Sequence, residues 1–123
     1  MSRIFYNKED DIVYWNIDSQ VSKESMYKSF DTLSQYSTNM KDIKVLQIDK
    51  NLTTLLNPID NISIAKYAKK YFALFNSIKF AFVVNNPISM AFFILGVNVI
   101  TSNNVRAKAF STKEAALKWL NND

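Results

Sequence analysis

The chain contains no cysteine and no histidine. These absences remove disulfide bridges and thiolate metal sites, the Ser-His-Asp and Cys-His catalytic arrangements, and the side chains that build nearly all zinc and copper centres. Glycine occurs once, at Gly96. The phosphate cradles of P-loop and dinucleotide-binding proteins need several backbone positions free of Cβ, so nucleotide chemistry by those routes is excluded. The longest apolar run, Met90 to Val97, falls far short of the roughly 20 residues that cross a bilayer. The opening residues, Met1-Ser2-Arg3-Ile4-Phe5-Tyr6-Asn7-Lys8-Glu9-Asp10, lack the apolar core and small-residue cleavage site of a secretory signal. A cytoplasmic location is the expectation.

Carboxylates are missing from the whole stretch between Asn61 and Lys113. The net charge of +4 is therefore unevenly spread: residues 1–60 carry seven basic and nine acidic side chains, residues 61–123 eight basic and two acidic. A basic half of this kind either keeps the protein soluble or faces anions, acidic partners or anionic lipid. Hydrophobic residues make up 48% and charged residues 21% of the chain, the balance of an ordinary globular protein rather than a disordered or membrane-embedded one. With 123 residues, no repeat and no linker-like tract, one domain with one real core is expected.

Hydropathy periodicity orders the elements. Arg3–Asn7 and Asp11–Ile17 read as an opening hairpin across Lys8-Glu9-Asp10. Ser22 caps a helix to about Asn39, in which Met26, Phe30, Leu33 and Met40 recur at three- and four-residue spacing, opposite Lys28, Asp31 and Gln35. Ile43–Asp49 reads as a buried strand, and residues 51–61 as a loop because Pro58 disfavours a helix through its middle. Ile62–Ser77 reads as a helix with Ile64, Ala68, Tyr71, Phe72 and Phe75 on one side and Lys66, Lys69 and Lys70 on the other. Ile78–Val84 follows as a strand, and Asn85-Asn86-Pro87 opens a short helix to about Gly96. Val105–Phe110 is the last strand. Ser111-Thr112-Lys113-Glu114 reads as a capping box, with the Ser111 hydroxyl as cap, and the final helix runs to about Asn121, burying Ala115, Leu117, Trp119 or Leu120. The order ββαβαβαβα predicts an α/β fold: a mixed, mostly parallel sheet of four to five strands with an N-terminal hairpin, right-handed crossovers and about four covering helices.

Few residues invite chemistry. Asp10 and Asp11 are the only adjacent carboxylates, and a charged turn is ordinarily just solvated. Asp49 ends a parallel strand, where ligands gather in open α/β sheets, so Asp49 and Asn51 are assigned to a ligand-edge loop, although such an aspartate more often caps the next segment. The interleaved Lys66-Tyr67-Ala68-Lys69-Lys70-Tyr71 suggests nucleic acid superficially, but Tyr71 lies on the core side and no stacking platform results. No metal and no cofactor are expected.

The stretch Ile78-Lys79-Phe80-Ala81-Phe82-Val83-Val84, an Asn-Pro-started apolar helix, and then Val105-Arg106-Ala107-Lys108-Ala109-Phe110-Ser111-Thr112-Lys113-Glu114-Ala115-Ala116-Leu117-Lys118-Trp119-Leu120 resembles the SpoIIAA-like group of STAS domains (sulfate transporter and anti-sigma-factor antagonist). In those bacterial proteins a strand ending in Phe leads into a helix of the form Ser/Thr-x-x-Glu-Ala-x-x-Trp-Leu. Outside residues 78–120 the likeness is one of element order. The resemblance implies a non-enzymatic protein that works by association. It also implies a phosphorylatable serine in an Asp-x-Ser stretch followed by glycine. Here Asp49-Lys50-Asn51-Leu52-Thr53-Thr54 stands in that place, with asparagine for the serine and no glycine, which leaves Thr53, Thr54 and Ser63 as the nearby hydroxyls. The group is in turn similar to the CRAL-TRIO lipid-transfer architecture, which implies an apolar ligand or a membrane surface.

The expectation is a non-catalytic interaction domain that binds a protein partner or a second copy of itself. The alternative is a binder of lipid or anionic membrane through an apolar groove beside Lys66, Lys69 and Lys70. In Met90-Ala91-Phe92-Phe93-Ile94-Leu95 large apolar side chains surround the helix, whereas a helix on one sheet needs only one apolar stripe. Ile88, Phe92 and Leu95 are assigned to the partner or lipid interface, opposite Phe93 and Val97 on the sheet side. Burial against the neighbouring helix and the 97–104 loop is the ordinary explanation.

Overall fold

The first two strands, β1 (Ser2–Asn7) and β2 (Ile12–Ile17), pair antiparallel with Asn7 opposite Ile12 and Ser2 opposite Ile17. The structure is a computed structural model and describes residues 2–17, 22–49, 58–84 and 86–122; the side chains of Ser2, Pro58, Asn61, Ile88, Ser89, Phe92 and Phe93 are outside that description. The hairpin turn is built from its own polar side chains. Asn7 Oδ1 accepts from the Glu9 amide at 2.9 Å and Asp10 Oδ1 from the Ile12 amide at 3.2 Å. Asp11 adopts a left-handed φ of 59°, which aspartate tolerates better than most residues.

Ser22 caps α1 (Lys23–Ser34), and the reciprocal arm comes from serine: Ser22 Oγ accepts from the Ser25 amide at 3.2 Å while Ser25 Oγ accepts from the Ser22 amide at 2.9 Å. The helix buries Met26, Phe30 and Leu33 and leaves Lys28, Asp31 and Gln35 exposed. A 3-10 turn, Gln35–Thr38, leads to β3 (Asp42–Asp49). Then come α2 (Pro58–Phe72), β4 (Ser77–Val83), α3 (Pro87–Ile100), β5 (Val105–Phe110) and α4 (Lys113–Asn121).

The strands lie in sequence order, β1-β2-β3-β4-β5, and every pair after the hairpin is parallel. This is the mixed, mostly parallel sheet with an N-terminal hairpin and four helices that the element order predicts. On one face Val13, Trp15, Ile17, Ile43, Val45, Ile78, Phe80, Phe82 and Val105 form the main core with α1, α2 and α3. On the other, Ile12, Tyr14, Leu46, Ala81 and Val83 pack with Ala116 and Leu120 of α4. Both faces are covered, so β2 and β4 are buried almost throughout and β3 through its middle.

Four sequence expectations are corrected. Helix α1 ends at Ser34 rather than near Asn39, the chain tightening into the 3-10 turn. Helix α2 starts at Pro58 instead of Ile62 and ends at Phe72; proline at the first helical position loses an amide that has no intrahelical partner anyway. Phe75 is buried although it lies beyond the helix. Helix α3 continues past Gly96 to Ile100, and Gly96 lies where an added Cβ would meet Ala65 Cβ at 3.9 Å, an ordinary contact. The cap of α4 is Thr112, whose hydroxyl accepts from the Ala115 amide at 3.2 Å. Ser111 is exposed outside the helix. The N3 position then falls on Ala115, which cannot reach back, and Ala115 is exposed while Ala116 and Leu120 are buried. Thr112→Ala is expected to cost about 0.5–2 kcal/mol, and Ser111→Ala no more than about 0.5 kcal/mol. Urea unfolding of the two variants side by side checks the assignment, and a larger loss in Ser111→Ala would restore the other register.

Candidate interaction surface

The adjacent carboxylates of the hairpin turn are engaged locally. Tyr6 donates its hydroxyl to Asp11 at 2.6 Å, and Tyr14 donates to Asp10. Burial, followed by the hydrogen bond to Asp10, pushes the Tyr14 phenol up to about 12, so it is a neutral donor at ordinary pH. Its ring stacks on Phe5 at 5.3 Å. The pair braces the hairpin and presents no free acid and base to a substrate. No group of three metal-ligating His, Cys, Asp or Glu side chains occurs among the described residues.

At the carboxyl edge of the sheet Asp49 ends β3, half-buried. Asn51, Thr53 and Thr54 lie outside the described residues. Ligand crevices form at such edges where consecutive crossovers diverge to opposite faces. Here α1, α2 and α3 all lie on one face of a sequentially ordered sheet, so no such divergence of crossovers occurs at Asp49 among the described residues.

Helix α3 has no charged residue over its whole length. Its outer ridge is Pro87, Ala91, Ile94 and Asn98, at spacings of four, three and four, and all are exposed. Ile94 and Leu95 are 48% and 42% exposed, whereas Val97 packs against the main core. Of the three interface residues assigned from sequence, the structure places Leu95 at the surface; the side chains of Ile88 and Phe92, and that of Phe93, are outside the described residues. Ile94 was missed. The signal for it is that it shares a helical row with the small and polar residues Pro87, Ala91 and Asn98, which mark the outer side.

Lys66, Lys69 and Lys70 are exposed on α2, which packs beside α3, so the lysine face and the charge-free ridge belong to one outer layer of helices. Ser63 is half-buried on the same helix. Exposed Ile59 at the start of α2 and Leu74 just beyond its end add apolar area to this layer. On its other side α2 is tied to α1: Tyr27 and Tyr67 stack at 4.0 Å, and the hydroxyls of Tyr67 and Tyr71 both donate to Asp31. The hydrogen bond to Asp31 holds the Tyr71 phenol above its ordinary range. The tyrosines are thus committed to the α1–α2 contact: the Lys70 ammonium lies 5.9 Å from the centre of the Tyr67 ring, but that ring is already stacked on Tyr27.

No family model, no curated protein and no solved structure matches the chain. No helix is long and apolar enough to cross a membrane among the described residues.

Proposed function

We propose that this chain is a non-catalytic interaction domain that docks a protein through the outer face of α3, and that a second copy of the chain is the partner its chemistry favours. The observation that carries this is a fourteen-residue helix without a charge whose outer ridge, with Ile94 and Leu95, is open to water. Charged residues are depleted from the centres of protein interfaces, and an uncharged face can meet its own two-fold image without repulsion even on a chain of net charge +4. The element order supports the resemblance to SpoIIAA-like STAS domains, whose mode of action is association.

A membrane surface is the second reading, favoured by the exposed lysines of α2 alongside that ridge. Basic residues near an anionic surface contribute about 1 kcal/mol each.

One set of measurements separates the two. Light-scattering mass across a concentration series is expected to show a dimer, and Ile94→Ser with Leu95→Ser is expected to give a folded monomer with nearly unchanged melting. A wild-type monomer at every concentration overturns self-association. If that monomer floats with anionic vesicles, and Lys66→Gln, Lys69→Gln and Lys70→Gln together abolish flotation, the membrane reading replaces it.

A further inference from the structure

The face of the sheet opposite α3 holds a feature that dimerisation does not use. Lys44 of β3, Lys79 of β4 and Arg106 of β5 are partners in the strand register, Lys44 beside Lys79 and Lys79 beside Arg106. Three cations therefore stand side by side on neighbouring strands about 4.8 Å apart, and like charges directly opposite each other destabilise a sheet. The middle charge is accounted for. Lys79, only 6% exposed, donates to the main-chain oxygens of Trp119 and Asn122 at the end of α4, and its ammonium lies 4.7 Å from the centre of the Trp119 ring. The flanking charges are not: among the described residues neither the Lys44 ammonium nor the Arg106 guanidinium has a hydrogen-bond or ion-pair partner.

All three line a cleft of about 260 Å³ at the amino-terminal edge of the parallel strands, together with Asp11, Asp42, Ser77 and Asn103. Its two carboxylates have local donors, Asp42 from Ser77 at 2.6 Å and Asp11 from Tyr6 at 2.6 Å. Among the described residues the cleft thus carries three positive and two negative side chains, with Lys44 and Arg106 on either side of the buried Lys79. Lys44 and Arg106 are two strands apart, about 10 Å between backbones.

We propose that this cleft binds a phosphate group, as inorganic phosphate or a small phosphomonoester, between the Lys44 ammonium and the Arg106 guanidinium. Arginine supplies a planar fork that matches phosphate oxygens and lysine a point charge. The bound dianion removes the repulsion along the row, and the volume, near the lower end for ligand sites, admits a small substituent on the phosphate.

Inorganic phosphate and glycerol phosphate are the probes, titrated calorimetrically into the full chain, with sodium chloride at matched ionic strength as the control. Saturable binding is expected, weakened about tenfold by Lys44→Gln and again by Arg106→Gln, with no loss in the triple Gln variant at Lys66, Lys69 and Lys70. Both single variants are expected to melt at or above the wild-type temperature without ligand, because each relieves the row. Binding no stronger than chloride, or weakened equally by the α2 triple variant, overturns the proposal. Tighter binding of glycerol phosphate than of phosphate identifies an ester as the ligand, and equal binding identifies the free anion.

Discussion

Phe80→Ala is expected to lower the stability of the protein by about 3–5 kcal/mol. Phe80 is 0% exposed at the middle of β4, and its ring centre lies 6.2 Å from Trp15, 5.6 Å from Phe72 and 4.5 Å from Phe82. Phe30 completes the cluster edge-on to Trp15 at 5.0 Å, so a single cavity at position 80 loosens β2, β4, α1 and α2 together. Domains of this size are stable by about 5–15 kcal/mol in all. The loss is thus a large share of the total, and urea unfolding reads it directly. Phe80→Leu, which keeps most of the volume, should lose distinctly less. A loss below about 1 kcal/mol in the alanine variant would show that these rings do not act as one core.

Gln47→Leu is expected to act in the opposite direction and raise stability by about 1–3 kcal/mol. Gln47 is 1% exposed on the main-core face of β3, in register with Trp15 on one side and Phe82 on the other. Among the described residues neither its Oε1 nor its Nε2 has a hydrogen-bond partner, and the indole Nε1 of Trp15 has none either. Leucine has nearly the same volume and no amide to desolvate. Gln47→Glu should be severely destabilising, because it puts a charge in the same apolar place. The comparison by denaturant unfolding is decisive: a Gln47→Leu variant less stable than wild type would mean that the amide is hydrogen-bonded in solution.

Local pattern in the sequence located the elements because each depends on neighbours along the chain. Alternation and β-branched content placed β5 at Val105–Phe110 and brought β2, β3 and β4 to within one residue of their observed ends. Ser22 was legible as a cap because capping is a contact over three residues. The errors came from residues with two local meanings. Pro58 breaks a helix interior but starts a helix well, and Gly96 ends helices but is also tolerated inside one that is held by packing. At Ser111 and Thr112 two adjacent hydroxyls competed for one cap, and the extended backbone of Thr112 decided between them.

The sequence by itself determined the order of elements, the sheet class and the lack of histidine and cysteine side chains, since these follow from composition and short-range periodicity. Only the tertiary structure decided which surfaces exist. A helix apolar all round shows no outer side until its neighbours occupy the others, which is why Ile94 emerged only with α2 and the sheet in place. Asp31 meets Tyr67 and Tyr71 from another helix, and Lys44, Lys79 and Arg106 stand in one row although 35 and 27 residues separate them along the chain. No local period encodes such a row, because strand pairing sets it, and pairing is fixed by which faces the whole sheet buries.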